Sequence, residues 1–511
     1  MKPVASPIVF HLSRFLGAGD AAAELATALA CHATQTGHVC ADLDCEAGWG
    51  PWAAELDASR RAAFRAQIPE LTIVGGADDW TPLVWDDRRL FLRRYWDYEQ
   101  QVAQDLLARS ALENRLTVIS GGPGTGKTTT LARIVGLLQE QSGSQPLRIA
   151  LAAPTGKAAA RMADALAAAG VVVNGGAQTL HRLLGMRADG SGFRHDRAHP
   201  LAVDVLLVDE ASMIDLSLMA HLLAALPADA RLFLLGDRDQ LSAVEAGAVF
   251  ADLCASASLT PCVTTLTTNF RFGGDSGIGR LAESLRLGDA SGAIEQLRAG
   301  GPDLDWQDMS QRGDMRALIV AARDGYRPYR ESVAAALPPE ALFERFNDFR
   351  VLCAHRQDVV AINRALMAGD ALRPAPGTPV MVVRNDPLLR LFNGDIGLVL
   401  PDPADDSLKA CFPGGNDGPR WIPLTRLPAW EPAWAMTVHK SQGSEFENVL
   451  LALPSAVSLV TTRELVYTGV TRARRRVVLW ASAAVLQAAL ECRAERMSGL
   501  REKLSSAYRS D

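Results

Sequence analysis

The chain has 511 residues, of which 48% are hydrophobic and 22% charged, and its formal net charge is −6. A single core stops growing near about 250–300 residues, so three or four domains are expected in a chain of ordinary globular composition. The acidic balance excludes a globally basic nucleic-acid surface, leaving a local groove as the place for any such contact.

From the N-terminus, Pro7, His11 and Arg14 interrupt any signal-peptide core, and no run of 18 uninterrupted apolar residues occurs. A cytoplasmic protein without a membrane span is therefore expected. Ala21 to Ala30 has helical spacing, and so does Arg88 to Ala108, where Leu90, Leu92, Tyr95, Trp96 and Val102 are assigned to a core. Residues 1–100 are thus expected to form a helical module. Cys31, His32, His38, Cys40 and Cys45 cluster there. Structural zinc sites use closely spaced ligand pairs, which this cluster lacks, so buried reduced thiols are expected, with zinc as the alternative.

Short apolar strands alternate with helices from Leu116 onward, as in a parallel α/β layer. Strands are expected at 116–120, 147–153, 203–209 and 231–236, and a second series at 349–354, 449–453 and 477–481. The predicted class is α/β: two tandem parallel-sheet domains, over 101–275 and 276–511, after the helical module. A polar excursion from Arg187 to Pro200 is expected as a β-hairpin. Between 376 and 430, Val380 to Val383 and Ile396 to Leu400 predict a small β-barrel inserted into the second domain.

GGPGTGKTTT (121–130) fits G-x-x-x-x-G-K-[ST] with Gly121, Gly126, Lys127 and Thr128 in register. Gly122, Pro123, Gly124, Thr125, Gly126, Lys127, Thr128 and Thr129 then form a loop whose N–H groups face an anion at a helix N-terminus. Lys127 is placed to reach the β- and γ-phosphates of a nucleoside triphosphate, and the Thr128 hydroxyl to bind Mg²⁺. The hydrophobic run ending in Asp209-Glu210 supplies two acids, the first for Mg²⁺ and the second to orient and deprotonate water. Gln240, past the next strand, is suited to sense the γ-phosphate.

Together with these, APTGKAAARM (153–162), TLHRLLG (179–185), VDEASM (208–213), LLGDRDQLSAVEAG (234–247), LTTNFR (266–271), NGDIG (393–397), TVHKSQGSEF (437–446) and YTGVTRAR (467–474) follow in order. With these motifs the chain resembles superfamily 1 helicases, and among them the RecD family. The resemblance implies two RecA-like domains that close on ATP, with Arg271 and Arg472 reaching the γ-phosphate, a task that suits a bidentate and permanently charged group. It places single-stranded DNA against Pro154, Thr155, Lys157, Thr179 and His181 of the first domain. In the second domain the matching positions are Thr437, His439, Ser441 and Gln442. Such groups grip a sugar–phosphate backbone with little base specificity.

The same resemblance implies 5′–3′ inchworm translocation within a heterotrimer with RecB-like and RecC-like subunits, acting at DNA duplex ends in double-strand break repair and recombination. The 1–100 module would dock the RecC-like subunit. Nothing here resembles a nuclease motif, so nuclease activity of the complex is assigned to a partner. The family's separate glutamine-bearing helix, which reads adenine, is replaced by RLFLRRYWDYEQQVAQ (89–104), leaving Gln100, Gln101 and Gln104 as candidates. A free-standing 5′–3′ helicase and a structural subunit with weak ATPase remain the alternatives.

Overall fold

Two units make up the computed structural model, which describes residues 6–112, 115–142, 146–187, 189–273, 276–309, 314–367, 369–370, 373–386, 388–414, 418–458 and 460–506. The first comprises the chain to Arg238, Ser242–Thr268 and the segment from Glu495 onward; the second comprises Asp239–Leu241 and Asn269–Ala494.

The first unit begins with helices Pro7–Gly17 and Ala21–Gln35. Asp20 caps the second, its Oδ1 accepting from the backbone N of Ala22 at 2.8 Å and of Ala23 at 3.4 Å. To the helices of the expected helical module the structure adds a four-stranded sheet, which the expectation lacked, in the order Cys40–Asp42, Arg89–Leu92, Leu83–Trp85, Val74–Gly75. Its strands are two to four residues long, too short for two-residue alternation to register. The helix that follows starts at Arg93 and runs to Ser110. It crosses the expected boundary at 100 unbroken, and its Val102 and Leu106 share one buried cluster with Phe91 and with Leu206. Cys31 and Cys40 are buried and Cys45 is exposed, all as free thiols; burial pushes the Cys31 thiol up to about 11 and raises Cys40 as well.

The main sheet of this unit is parallel throughout, in the order Val263–Leu266, Leu116–Gly121, Arg231–Gly236, Val205–Val208, Ile149–Ala153, Ala177–Thr179. Leu206 and Val208 pack into one cluster while Val205 and Leu207 pack into another. Both faces of the sheet are therefore covered, which explains the unbroken apolar run. Within Arg187 to Pro200, the expected hairpin is reduced to a single bridge, Met186 to Phe193, among the described residues; Ala188 lies outside them.

In the second unit a parallel sheet runs in the order Leu304–Asp308, Ala473–Ala481, Phe446–Ala452, Phe349–Cys353, Ala435–Thr437. An antiparallel sheet, in the order Arg420–Pro423, Leu408–Phe412, Ile396–Pro401, Pro379–Val382, Trp430–Pro432, occupies the expected barrel segment. Among the described residues no ladder joins its two outer strands.

The assignment of 276–511 to one domain is also corrected, because the chain from Glu495 belongs to the first unit. There Met497 donates its N–H to His38 Nδ1 at 3.0 Å and accepts from Val39 N at 2.8 Å. His38 must be neutral to accept, and burial, Arg496 and His32 together lower its pKa to about 4. Glu99, wholly buried, accepts from Ser498 Oγ at 2.8 Å, Gly499 N at 2.9 Å and Lys503 Nζ at 2.9 Å. The same ammonium sits 3.6 Å from the centroid of the Trp96 ring. Removing one partner of a buried pair strands the other charge. Lys503→Met should therefore destabilise the full chain by roughly 3–5 kcal/mol in urea unfolding, and adding Glu99→Gln should restore part of that loss.

Candidate functional site

The strand Leu116–Gly121 delivers the chain into the loop before helix Lys127–Gln141. Gly124 and Gly126 both have φ of 80°, a left-handed conformation that glycine adopts without cost. At Gly121 a Cβ would lie 2.5 Å from Thr125 Oγ1, so the close turn admits no side chain. Thr125 Oγ1 donates to the Gly122 carbonyl at 2.8 Å. Lys127 Nζ donates to the carbonyls of Gly121 at 2.5 Å and Gly122 at 3.0 Å. The lysine is thus folded over the loop that it is expected to serve. Thr128 is half-buried and Thr129 exposed at the start of the helix.

Two strands away in the sheet, Val205–Val208 ends at Asp209, which is buried, and Glu210. Burial, and then the Glu210 charge, lift the Asp209 carboxyl to about 6, against the opposing pull of Lys127 and Arg161. Asp209 Oδ1 accepts from Glu210 N at 2.8 Å. Glu210 has φ of 53°, a left-handed strain that a non-glycine residue carries only where its surroundings enforce it. Lys127, Thr128, Asp209 and Glu210 thus gather at the carboxyl edge of one parallel sheet, where ligands of open α/β sheets bind.

The same edge carries the expected DNA contacts of this unit. Ile149–Ala153 and Ala177–Thr179 are neighbours, with Ala153 opposite Thr179. Thr155 Oγ1 accepts from Ala158 N at 3.2 Å, and Thr179 Oγ1 from Arg182 N at 3.3 Å, so each threonine caps a helix. Pro154 and Lys157 are half-buried beside the first cap and His181 is exposed beside the second.

Gln240, Arg271 and Arg472 belong to the second unit. Gln240 is buried, and the neighbouring Leu241 donates its N–H to Thr468 Oγ1 at 3.0 Å. Arg472 is also buried; its Nε donates to the Thr468 carbonyl at 3.1 Å and its Nη1 to that of Ser444 at 3.3 Å. Arg271 pairs with Glu445 at 2.5 Å, and Arg474 donates to the same carboxylate at 3.0 Å. Glu445 was not among the expected site residues, although it lies inside TVHKSQGSEF; an acid in a basic motif was the available signal.

Two of the expected strand contacts are engaged within the second unit itself. Ser441 is wholly buried and its hydroxyl donates to Val438 O at 2.7 Å. Gln442 is buried and its Nε2 donates to Leu241 O at 2.8 Å. Both amide and hydroxyl serve the loop itself, while Thr437 and His439 remain half-buried at its surface. Of the adenine candidates, Gln101 is engaged with the Ala220 carbonyl at 2.8 Å, holding two helices together. Gln104 is exposed and Gln100 half-buried.

Three family models match: the RecBCD enzyme subunit RecD N-terminal domain over residues 4–91, an AAA domain over 104–246 and a UvrD-like helicase C-terminal domain over 432–480. The RecBCD enzyme subunit RecD of Mycolicibacterium smegmatis is 38% identical, across 99% of this chain and 98% of that protein. The ATP-dependent RecD2 DNA helicase of Deinococcus radiodurans is 34% identical, across 76% of this chain and 50% of that protein. Among solved structures, Bacteroides Pif1 bound to ssDNA aligns at a TM-score of 0.42 and 18% identity, covering 74% of this chain and 91% of that one. Near-complete mutual coverage at 38% identity, with the N-terminal model ahead of both motor models, means that the chain belongs to the family of the RecBCD enzyme subunit RecD.

Proposed function

We propose that the chain is an ATP-dependent 5′–3′ single-strand DNA translocase and helicase, the motor subunit of a RecBCD-type exodeoxyribonuclease V. Its two parallel-sheet units act as paired RecA-like domains, with the antiparallel insert as a small barrel on the second. RecB-like and RecC-like subunits are the partners, residues 1–100 dock the latter, and a partner supplies nuclease activity. The observation that carries this reading is the gathering of Lys127, Asp209 and Glu210 on the sheet edge that also bears Thr155 and Thr179.

Phosphate oxygens are charged acceptors, stronger than the carbonyls of Gly121 and Gly122 that now hold Lys127 Nζ. Binding triphosphate therefore draws the ammonium off its own loop onto the β- and γ-phosphates. Glu210, fixed in its left-handed turn, orients and deprotonates the attacking water. Arg271 and Arg472 exchange Glu445 and the backbone carbonyls for γ-phosphate oxygens, with Gln240 sensing their loss after hydrolysis. The buried Asp209 carboxyl, raised by burial and by Glu210, is the kind of group that a divalent cation relieves. Thr128 and Asp209 therefore fit Mg²⁺, which when bound neutralises phosphate charge. Pro154, Thr155, Lys157, Thr179 and His181 grip the strand from one unit, and Thr437 and His439 from the other. The alternative of a free-standing helicase draws on the RecD2 relative, of whose length this chain spans about half.

Lys127→Gln should abolish DNA-stimulated ATP hydrolysis in a phosphate-release assay; near-normal turnover would refute the phosphate-loop assignment. The full chain with its partner subunits should unwind 5′-tailed duplexes in a strand-displacement assay, and Lys127→Gln in this chain should abolish that unwinding; 5′-tail unwinding that survives the substitution would count against the direction assigned to this chain. Unwinding of 5′ tails by this chain alone would favour the free-standing reading.

Asp209→Asn tests the buried acid. Its folded pKa lies above the ordinary 3.8, so its contribution to stability is present below about pH 4 and lost as pH rises through about 6. Nucleotide-free Asp209→Asn should then be more stable than the parent near pH 7.5, on the order of 1–3 kcal/mol, with no gain near pH 4. Thermal unfolding at the two pH values reads this, and hydrolysis should be lost in the same variant.

A further inference from the structure

In the second unit the chain passes from the antiparallel sheet to the parallel sheet over Pro432–Ala435. Each backbone carbonyl of that crossing accepts a hydrogen bond from a side chain. Asn363 Nδ2 donates to Pro432 O at 2.7 Å and to Ala435 O at 3.1 Å, while its Oδ1 accepts from Ala435 N at 2.7 Å. Arg350 Nη1 donates to Ala433 O at 3.1 Å, and the Tyr326 hydroxyl donates to Trp434 O. The three side chains are buried and reach the crossing from separate places: Arg350 from strand Phe349–Cys353, Asn363 from helix Arg356–Leu366, and Tyr326 from the residue after helix Asp314–Gly325.

Arg350 also reaches the far side of the loop that follows. Its guanidinium carbon lies 4.8 Å from the Phe446 ring centroid and 3.9 Å from that of Phe346, and Nη2 donates to Asn347 Oδ1 at 3.1 Å. Ala433 lies four residues before Thr437–Glu445 and Phe446 directly follows it, so one side chain touches the chain on both sides of the loop. A second tie runs through Glu431 of the antiparallel sheet, which pairs with Lys440 in the loop and with Arg356 at 3.7 Å. Arg350 Nε has no hydrogen-bond partner among the described residues. Burying a guanidinium on a carbonyl, an amide and ring faces costs more than filling the same volume with an apolar side chain. Packing alone does not account for it.

We infer that Tyr326, Arg350 and Asn363 are positioning residues that hold the antiparallel sheet and the loop Thr437–Glu445 as one body, keeping Thr437 and His439 in gripping geometry. The inference rests on the reading that Thr437 and His439 grip single-stranded DNA. A carbonyl left without its donor frees the crossing to shift, and the loop with it, while the nucleotide-binding groups of the first unit are untouched.

The test is DNA-stimulated ATPase of the full chain on oligo(dT), for Tyr326→Phe, Arg350→Lys and, as reference, His439→Ala. Tyr326→Phe deletes one hydroxyl and keeps the ring, so it should fold even if Arg350→Lys does not. The DNA concentration for half-maximal ATPase should rise about 3–10-fold in Tyr326→Phe, the worth of one hydrogen bond, and further in Arg350→Lys. Turnover at saturating DNA should fall by a smaller factor than half-saturation rises, because the same loop also holds Arg271 through Glu445 and Arg472 through the Ser444 carbonyl. If His439→Ala raises half-saturation and both positioning variants leave it unchanged, the inference is overturned, whatever their melting temperatures. If His439→Ala itself leaves half-saturation unchanged, the gripping reading fails, and the inference falls with it.

Discussion

Covering both faces of a parallel sheet is the constraint on which the rest of this molecule depends. In the first unit, alternate residues of Val205–Val208 enter two different apolar clusters. No polar group can work on either face without losing its hydration. Chemistry is left to the strand ends, where the backbone turns out and helix N-termini begin. The phosphate loop, the Asp209-Glu210 pair, and the Thr155 and Thr179 caps all stand at that edge. The groups proposed for nucleotide and strand therefore share one support, separated by whole strands rather than by loops.

The central strands were readable from sequence because burial on both faces writes a continuous apolar run, as at Val205–Val208, or a nearly apolar one, as at Leu116–Gly121 with Thr117 and Ser120. The strands that escaped are those to which one condition of that pattern does not apply. Val263–Leu266 and Leu304–Asp308 are edge strands that keep polar residues, and Ala177–Thr179 and Ala435–Thr437 have three residues each. The N-terminal sheet is shorter still in places, and its pairing of Cys40–Asp42 with Arg89–Leu92 spans a long stretch of chain. Local periodicity carries no record of such a partner.

For the site, the residue types expected to contact phosphate announced themselves through spacing, since the loop needs glycines at Gly124 and Gly126 and a close turn without a side chain at Gly121. Spacing did not say which way a motif side chain points. Ser441 and Gln442 sit in the same run as Thr437 and His439 yet turn inward, because the loop's own carbonyl at Val438 and that of Leu241 demand donors. Glu99 and Asn363 had no signal of their own either, and Glu445 had only its place as an acid in a basic motif. Each acts on groups far along the chain, and a buried carboxylate or amide looks in sequence like any surface one.

The cationic groups expected to meet phosphate are already occupied, and that shapes the energetics of the cycle. Lys127 holds two carbonyls, Arg472 holds two more, and Arg271 holds Glu445. On the proposed reading nucleotide binding is mainly an exchange of acceptors, so each exchanged contact contributes the difference between a phosphate and its stand-in, while Arg271 Nη1, without a hydrogen-bond partner among the described residues, is left to gain one. For carbonyls that difference favours phosphate, because charge-assisted bonds are roughly twice as strong as neutral ones. For Arg271 both acceptors are charged and the difference is small. On the proposed reading, loss of the γ-phosphate would return Arg271 to Glu445 at little cost, whereas Lys127 and Arg472 would give up more. On that reading, an arginine balanced in this way would respond to the γ-phosphate without trapping it, as suits a motor that releases its product at every step.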